Sequence, residues 1–137
     1  MAQGTQRAEA DDMATVLVVN DDPEMLDLYE ALLEEMGHRA VPRKDLEPQP
    51  ETVINLGADG LVIDLQAEED AESGLHVIES LRSHPATSNL PVILCTGAVA
   101  EAHEVRRRLE DLRVPLLIKP FPVERFREVV SELLPSG

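Results

Sequence analysis

Residues 16–26 read VLVVNDDPEML. Four apolar residues, three of them valine, run without a polar break, as in a strand buried on both faces of a parallel sheet. The polar turn Asn20-Asp21-Asp22 ends the run. Pro23 then suits the first turn of a helix, with Asp22 suited to its cap. Met25, Leu28, Leu32, Leu33 and Met36 recur at helical spacing until Gly37 stops the pattern. A strand passing straight into a helix is half of a βαβ unit.

The unit repeats along the chain. RAVP (39–42) can form a second strand, and the segment after it, broken by Pro48 and Pro50, leaves a short helix over 51–56. Residues 60–64 give a third strand. An acidic loop follows to Ser73, and a helix opens at Gly74 or Leu75, with Val77, Ile78 and Leu81 on one face, and ends at His84-Pro85. A fourth strand spans 91–95 and a charged helix 99–112, with Val105, Leu109 and Leu112 inward. The fifth strand is 114–118, and a last helix covers 123–134. Five strands alternating with about five helices predict an open, doubly wound parallel α/β sheet with right-handed crossovers. Residues 1–13 (MAQGTQRAEADDM) are polar and aperiodic and read as a flexible extension, leaving one domain over 14–135.

Composition narrows the function. A chain of 137 residues with 43% hydrophobic content can build one core and has no room for a second. Tyr29, Phe121 and Phe126 are its only aromatics, so the core is aliphatic and binding by aromatic stacking is disfavoured. The net charge of -15 would repel a phosphate backbone, which argues against direct nucleic-acid binding. The cationic run Arg106 to Arg108 is flanked by Glu101, Glu104, Glu110 and Asp111 and reads as a solvated helix face. No apolar run approaches a membrane span or a leader, so the expectation is a soluble, cytoplasmic protein. Cys95 lies inside VILC and reads as an inert buried thiol. His38, His76, His84 and His103 are scattered without metal-ligand spacing.

Polar residues follow four of the apolar runs: Asp21 after VLVV, Asp64 after GLVI, Thr96 after VILC and Lys119 after PLLI. In open α/β sheets ligands bind beyond the carboxyl ends of the strands, where strand order reverses. Taken singly, each acid reads as a cap or turn residue, and Lys119 as a solvated charge. Taken together, two carboxylates, a hydroxyl and an ammonium on one edge can hold a divalent cation and a phosphoryl group. Without a cation, two carboxylates ~4 Å apart at an effective dielectric near 20 would repel by about 4 kcal/mol.

The stretches VLVVNDDPEML, DGLVIDL, SGLHVIESLR, HPATSNLPVILCTGA and LLIKPF, found in this order, resemble the receiver domain of bacterial response regulators over residues 15–134. The resemblance implies a CheY-like, flavodoxin-like fold with sheet order 2-1-3-4-5. It implies phosphoryl transfer from a histidine kinase or histidine phosphotransfer protein to Asp64, and a Mg²⁺ ion, or Mn²⁺ in its place. Asp21 and Asp64 would supply carboxylates to the metal, Gln66 its backbone carbonyl, and Asn20 a contact through water. Thr96 would hydrogen-bond the phosphoryl group, Lys119 would pair with it, and the Lys119-Pro120 peptide would be cis.

The chain departs from that pattern in four places. Asn20 stands where an acid usually assists the metal, which predicts weaker Mg²⁺ affinity. Gly74 lies ten residues after Asp64, in a longer loop that carries Glu68, Glu69, Asp70 and Glu72. Leu116 stands where many receivers have an aromatic switch residue. The chain ends after the last helix, so the expected output is a surface formed by the fourth helix, fifth strand and fifth helix, able to meet a downstream protein or a second copy. The expected function is therefore a phosphoacceptor signalling domain rather than an enzyme with an external substrate. The alternative is a degenerate receiver that binds a partner independently of phosphorylation. A haloacid-dehalogenase-like phosphohydrolase needs a second acid two residues after its nucleophile, and neither Asp21 nor Asp64 has one.

Overall fold

The computed structural model describes residues 13–45, 47–65 and 71–134. Its elements are β1 (Thr15–Val19), α1 (Pro23–Glu35), β2 (Arg39–Arg43), α2 (Pro50–Leu56) and β3 (Gly60–Leu65). There follow α3 (Ala71–Ser83), β4 (Val92–Thr96), α4 (Val99–Asp111), β5 (Leu116–Ile118) and α5 (Val123–Leu133). The five strands form one parallel sheet in the order β2-β1-β3-β4-β5, as the resemblance implies. Chain direction across the sheet reverses between β1 and β3, so a crevice opens above their carboxyl ends.

Alternation along each strand sorts the core into two layers. Val16, Val18, Val62, Ile93, Cys95 and Leu117 pack with Leu26, Tyr29 and Leu33 of α1 and Phe126, Val129 and Val130 of α5. Leu17, Val19, Ile63 and Leu94 pack on the opposite face with Val53 of α2, Leu75 and Ile78 of α3, and Val105 and Leu109 of α4. β3 is buried at every position. That explains why its run lacks the polar alternation of a half-wet strand. Tyr29 and Phe126 anchor the first layer, their ring centroids 5.2 Å apart at 60°.

Two boundaries differ from the sequence reading by more than one residue. α3 begins at Ala71, a turn earlier than expected, because Glu72, which read as loop, suits a first helical turn, where a carboxylate favours the positive end of the helix dipole. The Ala71 N–H donates to Glu101 Oε2 of α4 at 3.0 Å. Gly74 therefore lies inside the helix, where a Cβ would come within 3.2 Å of Leu65 Cδ1 and 3.3 Å of Leu94 Cδ1. It allows close approach of α3 to the sheet rather than starting the helix. β5 is confined to three residues, because Pro115 has no N–H for the ladder, though its carbonyl still accepts from Leu94.

His38, at the entry to β2, is buried, and its Nδ1 accepts from the Ala14 N–H at 3.2 Å. Burial lowers its pKa below the ordinary imidazole value. The neutral ring is favoured in the folded state, so its contribution is fully present above about pH 6.5 and is lost as pH falls through the folded value. Urea unfolding of His38→Gln is expected to lose less stability than the wild type between pH 7 and pH 5. Equal losses would show that another group carries the dependence.

Candidate phosphoryl site at the strand ends

The site is built from the residues at the carboxyl ends of the strands. β1 and β3 pair with Val19 opposite Ile63, so Asn20 and Asp64 are neighbours across the two strands. Strand alternation turns Asp64 toward the α1 and α5 layer, the same side as Val62, and its partner on β4 is Cys95. Asp64 is fully buried, and neither carboxylate oxygen has a partner in hydrogen-bond geometry. Lys119 makes an ion pair with Oδ1. It reaches down from the end of β5, where its backbone N–H donates to Thr96 O at 2.8 Å and the following Lys119-Pro120 peptide is cis.

Desolvation dominates the electrostatics of Asp64 and holds its pKa above the usual carboxylate range. Three groups oppose that shift: the Lys119 ammonium first, then the Tyr29 hydroxyl and the Asn20 amide. The latter two lie close enough to favour the anion without completing a hydrogen bond, and both Tyr29 Oη and Asn20 Nδ2 are buried without a partner in that geometry. Asn20 is held by its other end, where Oδ1 accepts from the Asp22 N–H at 2.8 Å. Asp22 in turn caps α1, accepting from Glu24 N–H at 3.0 Å, with Pro23 in the first turn.

The remaining expected residues are positioned less tightly. Asp21 is exposed at the rim, one residue beyond Asn20. Thr96 is buried at the end of β4, its hydroxyl oxygen accepting from the Ala98 N–H at 3.0 Å. That bond uses a lone pair and leaves the hydroxyl proton free. Gln66 and the loop acids Glu68, Glu69 and Asp70 lie outside the described residues, as do residues 1–12. Burial pushes the Cys95 thiol up to about 12, with the Asp64 charge adding to the effect, so it is inert at neutral pH. Sequence reasoning missed Tyr29: helical periodicity marked other residues as the inward face of α1.

Among the described residues no group of three or more His, Cys, Asp or Glu side chains could hold a metal ion. The donor set still suits a hard cation, because Mg²⁺ keeps several waters and needs only one or two carboxylates. Asp64 presents two oxygens without hydrogen-bond partners, and Asp21, at the end of the neighbouring strand, has an exposed carboxylate.

Residues 16–131 match the model of the response regulator receiver domain family. The chain belongs to that family. This receiver domain is 27% identical over 122 residues to the DNA-binding dual master transcriptional regulator RpaA of Synechocystis, covering 89% of this chain and 49% of the relative. It thus spans about half the length of that curated relative. Among solved structures it is similar to the response regulator TrrA of Thermotoga maritima in complex with Mg²⁺-BeF, at 25% identity and a TM-score of 0.64, covering 89% of this chain and all of the other. A putative response regulator from Chloroflexus aurantiacus aligns with a TM-score of 0.71 at 20% identity, over 88% of this chain and 97% of the other. Vibrio cholerae CheY4 aligns with a TM-score of 0.70 at 17% identity, over 89% of this chain and 99% of the other. Receiver domains are signalling modules of two-component systems that bind Mg²⁺ at the phosphorylation site and interact with histidine kinases or phosphotransfer proteins. No helix among the described residues of this receiver is long and apolar enough to cross a membrane.

Proposed function

We propose that this receiver domain, residues 14–135, accepts a phosphoryl group on Asp64 from a phosphohistidine donor and passes the signal on through altered protein contacts. The observation that carries the reading is the Asp64 carboxylate: fully buried at the end of a central strand, without hydrogen-bond partners, and facing one ammonium. A residue serving only as a cap or turn would have an oxygen engaged by a backbone N–H group, as Oδ1 of Asp22 is. Asp64 supplies the nucleophilic oxygen, and Lys119 is the mobile cation that transfers from the carboxylate to the incoming phosphoryl oxygens. Thr96 donates its free hydroxyl proton to the same oxygens. Asp21, Asp64 and the Gln66 carbonyl would hold Mg²⁺ or Mn²⁺, with Asn20 reached through water. The bound cation would offset charge on the transferring phosphoryl group.

The decisive experiment is intact-protein mass after incubation with Mg²⁺ and acetyl phosphate. The expected result is a single phosphoryl adduct mapping to Asp64, lost when the metal is chelated. No adduct with any small donor would favour the phosphorylation-independent binding module. The output surface we assign is the face of α4, β5 and α5, which could also join two copies. A phosphorylation-dependent change in hydrogen exchange confined to other elements would refute that assignment.

Asn20 sets the strength of metal binding in this reading. An aspartate there would add one negative charge within a few ångströms of the cation. Isothermal titration of Asn20→Asp is therefore expected to give Mg²⁺ affinity about ten-fold higher, roughly 1.4 kcal/mol. Equal affinity in the two proteins would remove Asn20 from the metal's surroundings.

A further inference from the structure

Tyr29 carries a hydroxyl that core packing does not explain. Its ring is 2% exposed and seats against Phe126, a role that phenylalanine would fill equally well. The hydroxyl oxygen is buried without a hydrogen-bond partner, and a hydroxyl left so is costly unless a group that needs a donor stands beside it. That group is present. Asp64 faces the α1 layer from β3, Cys95 lies opposite it in register within the same layer as Tyr29, and Lys119 lines a groove of about 260 Å³ together with Tyr29 and Phe126. Burial first, then the neighbouring Cys95 thiol and the Asp64 carboxylate, hold the Tyr29 phenol in its neutral form, and that hydroxyl in turn favours the Asp64 anion. Burial drives the phenol pKa far upward, so the group remains a neutral donor at any physiological pH.

We propose that Tyr29 is a positioning residue for phosphoryl transfer, its hydroxyl engaging the carboxylate oxygen of Asp64 that does not attack phosphorus. The proposal rests on the phosphoacceptor reading. With acetyl phosphate as donor, one Asp64 oxygen forms the new O–P bond while the P–O bond to acetate breaks, and acetate leaves with the electron pair. The other oxygen becomes the carbonyl of the acyl phosphate. Tyr29 keeps its proton throughout and donates to that oxygen as the phosphoryl group transfers, fixing the rotation of the carboxylate so that the opposite oxygen points to the donor. Lys119 is then free to follow the phosphoryl group.

The chain contains one tyrosine and no tryptophan, so its ultraviolet emission reports on this position alone. A carboxylate accepting from a phenol quenches that emission by taking the proton in the excited state. Removing the charge in Asp64→Asn is expected to raise the emission of the folded, metal-free protein, with Tyr29→Phe as the dark control. Tyr29→Phe keeps the ring and should melt within a few degrees of wild type. It should take the phosphoryl group on Asp64 about ten-fold more slowly at saturating acetyl phosphate, with the half-saturating concentration unchanged. An unchanged emission in Asp64→Asn would overturn the contact, and an unchanged saturating rate in Tyr29→Phe would overturn the positioning role. A wild type that takes no phosphoryl group would instead remove the acceptor reading and the kinetic role with it, while a rise in emission would still establish the contact.

Discussion

Asp64→Asn is expected to take no phosphoryl group and, in the absence of divalent cations, to unfold at higher urea than the wild type. The loss of the adduct should be complete, because an amide oxygen is no nucleophile toward phosphorus under these conditions and Asp64 is the only buried carboxylate among the described residues. The gain in stability follows from the balance of burial against pairing. Asp64 is fully buried and its charged form is disfavoured on folding in spite of Lys119, so at neutral pH the ionised carboxylate works against the folded state. Removing a partner of a buried pair usually exposes the remaining charge to the same penalty. Here that charge belongs to Lys119, whose side chain is 21% exposed and can turn to water. We therefore expect a net stabilisation of roughly 1 kcal/mol, in the direction seen when active sites trade stability for function. Added Mg²⁺ should stabilise the wild type but leave the variant unchanged, by mass action on the form that binds it. A variant less stable than wild type would mean that the Lys119 pairing outweighs the desolvation of Asp64. An adduct of unchanged mass would move the acceptor elsewhere.

The strand ends were legible because buried parallel strands leave long apolar runs, and the first polar residue after each run must sit at the sheet edge. That logic puts Asp21, Asp64, Thr96 and Lys119 at the strand ends, and local chemistry alone marks Asp22 as a cap. It could not distinguish Asn20, which is buried against Asp64, from Asp21, which is exposed, because adjacent residues at a strand end diverge according to the turn that follows. The start of α3 was misplaced for a related reason. Acidic residues suit a solvated loop and a first helical turn alike, and the bond from Ala71 to Glu101 comes from an element thirty residues away. Tyr29 was invisible as part of the site, since its place depends on the packing of α1 across β1 and β3, which no periodicity within α1 encodes. The second layer of a site is generally of this kind: its members are fixed by tertiary contact and look like core in the sequence.

Phe126→Ala is expected to be the most damaging single substitution in the core, costing about 3–5 kcal/mol of a total stability that for a domain of this size lies near 5–15 kcal/mol. Phe126 is completely buried, is one of only three aromatics in the chain, and packs from α5 into the layer that holds Tyr29. Its truncation leaves a cavity next to the partly open groove lined by Met25, Leu28, Tyr29 and Phe121. Collapse around it would require Tyr29 to tilt, because the two rings are in contact. The damage should therefore appear twice: as a lower urea midpoint with an unchanged slope, and as slower phosphorylation of the fraction that remains folded. Leu109→Ala, equally buried but on the other face of the sheet, provides the comparison. It should lose stability by about 2–5 kcal/mol while the folded fraction is phosphorylated at the wild-type rate. If both variants slow transfer alike, the effect is one of general loosening. If only Phe126→Ala does, the floor of the Asp64 site is the ring pair of α1 and α5, and the core on that face is part of the phosphoryl-transfer apparatus.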